Sequence, residues 1–593
     1  MPSRGWSRRD RTGRGRGLFA AVAATVLGVL LASCASIPTS GPVRQGGGGA
    51  GTVNTNQVVG VIAQPPRPGM TQQEVVEGFL LAAAAFDNDH AVARSYLTSA
   101  AASTWNPSSG VTVYDNAGGP EATLAGAGLV TFVAPRIGTI SNQGKETTAT
   151  GTVTARFTVR RVGGQWRIAS LPNGLLLTQN DVNRGFQPFD LYFPVPDPSS
   201  TVLVPDQVLV PRGAGQSTAL VEALLAGPTP WLAPAVRTAF PPGTKLAVNS
   251  APIENGTVTV DLTAPAGSVA GKQLDAMTAQ LVWTLSQLNV NNVRIQVEGS
   301  AERLVSVEDP RFGKWNPDGA SLQSTAYFVR DGRLVSIQPG HIAPVQGPAG
   351  DGTVKLASPG VSYDQTQVAG LTAGGTELVA AKIGKSKTVV AVRHGVSFTA
   401  PSWDLFGVAW FVDRRPSGPR HWDNVFWSYS MAHGLEPVTV QGLPAGEVLN
   451  LRISPDGARA VVLMATTAGN QVYLARVVRA DGAVVSGFAV VNAKVSNIQG
   501  VSWSSADNLL VLGSATPGSI AAADEPSVIA LNGAEVQLLV SIPASSGATT
   551  GIAQVSEAPS QPVVASTTDG RVWLYAGFQW QLIGKGSYAI YPG

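Results

Sequence analysis

Two α+β domains followed by an all-β propeller make up the multi-domain fold class predicted for this 593-residue chain. Three observations predict it. Charged residues are only 13% of the chain while glycine and proline number 67 and 41, which suits short strands and turns better than long helices. Helical periodicity is confined to a few stretches that end by Leu285. Beyond about Ser321, aromatic or branched residues recur at positions 403, 453 and 503, a period of 50, which is the spacing of propeller blades.

The chain opens with Arg4, Arg8, Arg9, Arg11, Arg14 and Arg16, runs apolar from Leu18 to Leu31, and closes on Leu31-Ala32-Ser33-Cys34. The apolar run falls short of the roughly 20 residues of a membrane span. Cationic start, apolar centre and small-residue end are the order of a secretory signal over residues 1–33. Ser7-Arg8-Arg9 hints at twin-arginine export, but Arg11-Thr12 stand where that signal has an apolar pair, so Sec export is expected. The Leu-Ala-Ser-Cys ending resembles the lipobox of bacterial lipoproteins. That resemblance implies cleavage before Cys34, an S-diacylglycerol on its thiol and an N-acyl group on its new amino terminus. The protein would then be lipid-anchored to the cell membrane at its extracytoplasmic face. Cys34 is the only cysteine, so no disulfide or cysteine metal site competes for the thiol; the alternative is an ordinary signal with a chance cysteine. Two or three acyl chains, at ~0.8 kcal/mol per buried methylene, hold a protein on a membrane where one does not.

The leader carries six arginines and Asp10. Beyond it the 41 basic and 38 acidic side chains reduce to 35 and 37, and the net charge of +3 becomes −2. No basic stripe remains to argue for nucleic acid. No second apolar run reaches 18 residues, so no downstream segment is expected to cross a membrane as a helix.

Residues 34–68 are rich in Gly, Pro, Ser, Thr and Asn, Gly47-Gly48-Gly49 among them, and read as a flexible tether with a reach of about 30 Å. Order begins at Thr71-Gln72-Gln73-Glu74, a capping box, after which Val75, Val76, Phe79, Leu80 and Ala83 mark one helical face. A second helix is expected over His90–Ala101. Short alternating runs follow at Val111–Tyr114, Thr131–Val133, Thr147–Val159 and Gln165–Ile168, with Gly163-Gly164 as a hairpin turn. Helices packed into a curved antiparallel sheet would make an α+β cone over residues 69–180, which resembles the cystatin-like domains.

A second α+β unit is expected over residues 189–300. Leu191-Tyr192-Phe193 starts a strand and Gln207–Pro211 a second. Thr218–Leu225 is a helix stopped by Gly227-Pro228, with Ser217 as its cap. Asn255-Gly256 is a hairpin signal feeding the strand Thr257–Leu262. Leu274, Met277, Leu281 and Leu285 mark one face of a helix, and Val293–Val297 is a final strand. The opening Leu-Tyr-Phe, Leu224-Leu225-Ala226-Gly227-Pro228, Pro241-Pro242-Gly243-Thr244 and Val260-Asp261-Leu262 resemble the GerMN domain of sporulation and cell-envelope proteins, which implies no catalytic residue. Asn255-Gly256-Thr257 also matches a glycosylation sequon, but the hairpin accounts for the residues.

The propeller is expected over residues 321–593. Pro401-Ser402-Trp403-Asp404, Ile453-Ser454-Pro455-Asp456-Gly457 and Ser502-Trp503-Ser504-Ser505 are each followed by an apolar run. Asp331-Gly332, Asp481-Gly482, Asn532-Gly533 and Asp569-Gly570 supply hairpin turns. This length accommodates five or six blades; a pair of β-sandwiches is the alternative. Trp403, Trp410, Trp422, Trp427 and Trp503 are dense here, and packing between sheets is favoured over a binding face.

The sequence lacks the common signatures of catalysis. His90, His341, His394, His421 and His433 form no His-x-x-x-His or His-x-His pair. There is no Gly-x-Ser-x-Gly elbow; the nearest approach, Gly215-Gln216-Ser217-Thr218-Ala219, is the helix start described above. Gly384-Lys385-Ser386 lacks the earlier glycine of a phosphate-binding loop, since Val379 stands in its place. The expectation is therefore no enzyme, with no catalytic, cofactor-binding or metal-binding residue and no cofactor.

The order of lipobox, tether, cystatin-like domain, GerMN domain and propeller resembles the LpqB-type actinobacterial lipoproteins over nearly the whole chain. Ile37-Pro38-Thr39-Ser40-Gly41-Pro42-Val43, Phe86-Asp87-Asn88-Asp89-His90 and Thr104–Val111 carry the likeness in detail. The resemblance implies a membrane-anchored accessory to a two-component system of the MtrA–MtrB kind, whose partner is the extracytoplasmic domain of the sensor histidine kinase. It assigns a role to Cys34 alone. The runner-up is a cell-envelope or peptidoglycan-binding lipoprotein, and a propeller hydrolase or lyase ranks last. Composition and spacing by themselves reach only a lipid-tethered, multi-domain, non-enzymatic protein.

Overall fold

A computed structural model of the chain describes residues 63–593 apart from 87, 118–120, 214, 318–324, 339–340, 385–388, 420, 480–481, 492–494, 515–524, 532–534, 540–541, 543–551 and 559–560. The leader, Cys34 and the tether up to residue 62 lie outside the described residues, as do Lys385, Ser386, Asp481 and Asn532-Gly533. The described residues belong to one compact unit.

Helix α1 (Gln72–Ala83) starts as its capping box requires: Thr71 Oγ1 accepts from Glu74 N at 3.2 Å, and the Glu74 carboxylate accepts from Thr71 N at 2.7 Å. Val75, Val76, Phe79, Leu80 and Ala83 are buried, sharing a core with Trp105 and Phe157. The single helix expected over His90–Ala101 is instead two, α2 (Ala91–Ser95) and α3 (Ser99–Thr104). Thr98 leaves the helical path to cap α3 through its hydroxyl, and its N–H donates to Ile168 O at 2.8 Å. A long-range strand contact thus outcompetes local continuation. Seven strands follow: β1 (Val111–Tyr114), β2 (Glu121–Gly126), β3 (Leu129–Ile140), β4 (Glu146–Thr148), β5 (Thr152–Val162), β6 (Gln165–Ser170) and β7 (Leu175–Thr178). They lie in the order β6-β5-β3-β1-β7, with β2 and β4 beside β3. The sheet is mixed rather than wholly antiparallel, because β1 and β7 run parallel with Val111 opposite Leu175. Helix α4 (Gln179–Gly185), capped by Thr178 and Asp181, leads out of the domain.

In the second domain β8 (Phe186–Pro194) and β9 (Leu203–Pro211) form an antiparallel ribbon. Helix α5 (Gln216–Ala226) comes next. Ser217 is not its cap, a correction to the expectation: the cap position is Gly215, and Ser217 is 5% exposed and donates its hydroxyl to Ala251 O at 2.6 Å. Strands β10 (Ile253–Glu254), β11 (Thr257–Leu262), β12 (Asn292–Val297) and β13 (Ser300–Ser306) form one sheet in that order. Asn255 and Gly256 turn β10 into β11 at φ 48° and 72°, the left-handed pair of a two-residue hairpin. Helix α6 (Gly271–Ser286) buries Met277, Leu281 and Leu285 against Phe193, Val260 and Ile295. That core continues past β13 to Phe312 and Trp315.

The C-terminal half is a closed ring of six sheets. Each of five sheets holds four consecutive strands, one of them with an extra strand at Thr439–Val440. The remaining sheet joins Ala326–Arg330, Arg333–Gln338 and His341–Pro344 to the last strand of the chain, Ser587–Ile590. The inner strands Ser358–Val361, Ser402–Trp403, Glu447–Ile453, Ser496–Trp503, Ile552–Ser556 and Ser587–Ile590 each touch the next, and the last touches the first. Six blades around an axis follow, and not a pair of sandwiches. The period of 50 has a structural cause: residues 403, 453 and 503 end successive inner strands. There Trp403 Nε1 donates to Gly360 O at 2.9 Å and Trp503 Nε1 to Arg452 O at 3.1 Å, each reaching the preceding blade.

Candidate functional site

The three domains meet at a buried polar junction built from β8, β9, the turn ahead of β4 and two propeller turns. Asp206 on β9 is 2% exposed and accepts from Thr229 N at 2.6 Å and Thr229 Oγ1 at 3.0 Å. Burial pushes its carboxyl up, with Lys145 and the Thr229 hydrogen bonds opposing. Lys145 of the first domain brings its Nζ to 3.9 Å from Asp206 and 5.6 Å from the centre of the Trp231 ring. Trp231 Nε1 then donates to Gly487 O of the propeller at 2.7 Å, and Arg476 returns a 2.7 Å bond to Trp231 O. Beside these polar contacts, Ala458 and Val478 of the propeller join the apolar core of the second domain.

Arg459 is the hub of the propeller's contribution. Its side chain is 2% exposed, pairs with Asp456 at 2.5 Å, lies 3.9 Å from Asp507, and sits 5.2 Å from the centre of the Trp503 ring. Asp507 faces Asp190 on β8, whose Oδ1 is buried without a partner. Burial and the Asp507 charge hold the Asp190 carboxyl well above the usual carboxylate range. Charges from three domains thus converge where water is scarce. The arrangement fixes domains in place.

The histidines do not converge. His90 is buried between the rings of Phe86 and Trp105, with centroids 5.1 and 5.8 Å away, and burial lowers its pKa. His394 Nε2 is 3.4 Å from Glu377, His433 Nδ1 is 3.3 Å from Ser430 Oγ, and His341 and His421 are exposed. Among the described residues no cluster of three or more His, Cys, Asp or Glu is placed to hold a metal. Trp403, Trp410 and Trp503 are buried between blades, while Trp422 and Trp427 are partly buried and Arg393 stacks 3.8 Å from the centre of the Trp427 ring. Cys34 lies outside the described residues. Of the junction, only Asp456 and Trp503 fell in a motif visible in the sequence, the propeller repeat, and nothing there marked them as part of a charged contact between domains. Its charged residues are up to 362 positions apart, from Lys145 to Asp507, and apart from Asp456 lie outside the repeat motifs.

Three family models match the chain: "Lipoprotein LpqB, N-terminal domain" over residues 65–183, "Sporulation and spore germination" over 190–303, and "Lipoprotein LpqB beta-propeller domain" over 332–592. A lipoprotein LpqB of Thermobifida fusca is 32% identical, the alignment covering 98% of this chain and 100% of that one. A lipoprotein LpqB of Streptomyces coelicolor is 30% identical with the same coverage, and one from Mycobacterium bovis is 27% identical over 82% of this chain and 85% of its own. Among solved structures, an acylaminoacyl peptidase of Pyrococcus horikoshii covers 44% of each chain at 12% identity and a TM-score of 0.27, a likeness too slight to carry an argument.

Proposed function

Because this chain belongs to the LpqB lipoprotein family, we propose that it is anchored by acylated Cys34 at the extracytoplasmic face of the membrane, where it modulates a two-component sensor histidine kinase of the MtrA–MtrB kind by protein–protein contact. The observation that carries this reading is the order of parts: a lone lipobox cysteine, a tether, then three domains locked into one body through the Lys145–Trp231–Arg459 junction. A body held rigid and tied to a membrane presents a fixed surface to a membrane partner. Confinement also raises the effective concentration, so a modest intrinsic affinity suffices. The reading includes no covalent step: the protein acts as a ligand of the kinase and not as an enzyme. Pull-down from solubilised membranes tests it. Recovery of a sensor kinase without glycan supports the reading, whereas co-sedimentation with purified cell wall and no kinase would favour the envelope-binding alternative.

A further inference from the structure

At one end of the propeller axis the inner strands and the turns that follow them enclose a cavity of about 40 Å³. Each blade contributes to its wall: Ser402, Arg452 and Ser502 from inner strands, and Tyr363, Glu557 and Tyr591 from just beyond the ends of the other three. Arg452 is 7% exposed, and its guanidinium donates from Nη2 to Tyr588 OH over a long 3.4 Å. The neighbouring Arg459 and Arg479 each hold a buried aspartate, Asp456 and Asp404; among the described residues Arg452 holds no carboxylate. A guanidinium taken out of water without an anion carries a desolvation penalty of several kcal/mol. Glu557 faces the same space. Its Oε2 is buried without a partner. Burial raises its carboxyl above the usual range, towards the protonated form that can donate, with a hydrogen bond from Ser504, which lines the same cavity, opposing. Ser402 Oγ accepts from Ile453 N at 3.0 Å and keeps its own hydrogen to give. Tyr363 is pushed up by burial and remains a protonated donor, with Asp404 and Asp456 beyond it already held by their arginines; Tyr591 is pushed up likewise, but its hydroxyl already donates to Pro562 O at 2.7 Å.

We propose that this axial cavity is a binding site for a small carboxylate, with Arg452 taking the anion and Glu557 and Ser402 donating to its oxygens. The size fits: at about 10–15 Å³ per water-sized occupant the cavity holds about three waters, close to the volume of one acetate-sized carboxylate, whose bonded atoms lie closer together than waters do. The site lies beside the turns that dock the second domain, since Asp456 and Asp507 belong to the same set of inner-strand turns. Occupancy would therefore brace the blades that carry the junction.

The test is a thermal unfolding titration of the intact chain with sodium acetate against sodium chloride at matched ionic strength. Acetate should raise the melting temperature saturably, by mass action, and chloride should not. Arg452→Gln should weaken the acetate response about tenfold or more, the worth of a hydrogen bond to a charged group. Glu557→Gln, which keeps a neutral donor, should retain binding and abolish the wild-type loss of binding as pH rises through the Glu557 titration. If Arg452→Gln fails to fold, the wild-type and Glu557→Gln pH profiles decide alone. Equal effects of acetate and chloride, an undiminished response in folded Arg452→Gln, or identical pH profiles for wild type and Glu557→Gln would each overturn the proposal.

Discussion

Replacing Arg459 by methionine nearly keeps the volume of the side chain and removes the cation that faces Asp456, Asp507 and Asp190. Asp456 retains two partners, Ser454 Oγ at 2.7 Å and Ala458 N at 2.8 Å, but its ion-pair partner is gone and Asp507 loses its nearest cation. Breaking a buried pair by removing one member costs about 3–5 kcal/mol. For a domain of this size that is a fall of roughly 10 °C in the propeller's melting temperature. The double variant Arg459→Met/Asp456→Asn removes the stranded charge as well and should recover most of the loss. The pH dependence has a definite sign. Asp190 titrates above its unfolded value, so its contribution is fully present below that unfolded value and is lost as pH rises through the folded one. Without Arg459 the carboxylate is penalised further, so the deficit of Arg459→Met should be larger at about pH 8 than at about pH 5. Circular-dichroism melts at both pH values measure it. A deficit below about 1 kcal/mol, or one that grows on acidification, would refute the buried-charge account of the junction.

Cys34→Ala should leave the body folded but abolish metabolic labelling by a fatty acid and release the protein from membranes or leave it unprocessed; a labelled Cys34→Ala protein would exclude lipidation there. Limited proteolysis should cut first in residues 35–68 and then between Trp315 and Ala326, since packing protects the chain through Trp315. Trp231→Ala, which loses the Gly487 hydrogen bond and the Lys145 contact, worth ~2 kcal/mol together, should speed the second cut, and a first cut inside 403–512 would contradict the domain picture. Alanine at any one of the five histidines should leave kinase regulation unchanged in a protein that still folds; loss of regulation from one such change would point to chemistry at that residue.

Local chemistry was legible where one segment decides its own conformation. The Thr71–Glu74 box and the Asn255-Gly256 turn each need only adjacent residues. Repetition was legible too, because residues 403, 453 and 503 occupy equivalent ends of inner strands. What could not be read is what distant chain decides. Thr98 breaks a helix by bonding Ile168, Ser217 turns inward to Ala251, and β7 returns parallel to β1. The last strand, Ser587–Ile590, completes the sheet begun at Ala326, which no local pattern announces. The junction and the axial cavity belong to the same class. Their charges look like ordinary surface residues in the sequence and become costly only once three domains or six blades bury them.

The central claim, that a tethered body touches a sensor kinase outside the cytoplasm, is tested most directly by cross-linking in intact cells. Photo-reactive residues placed on exposed positions of the propeller and of the first domain should give an adduct containing the extracytoplasmic part of a sensor histidine kinase, and Cys34→Ala should reduce its yield sharply. Adducts confined to cell-wall glycan, or a kinase adduct whose yield is indifferent to Cys34, would contradict the account.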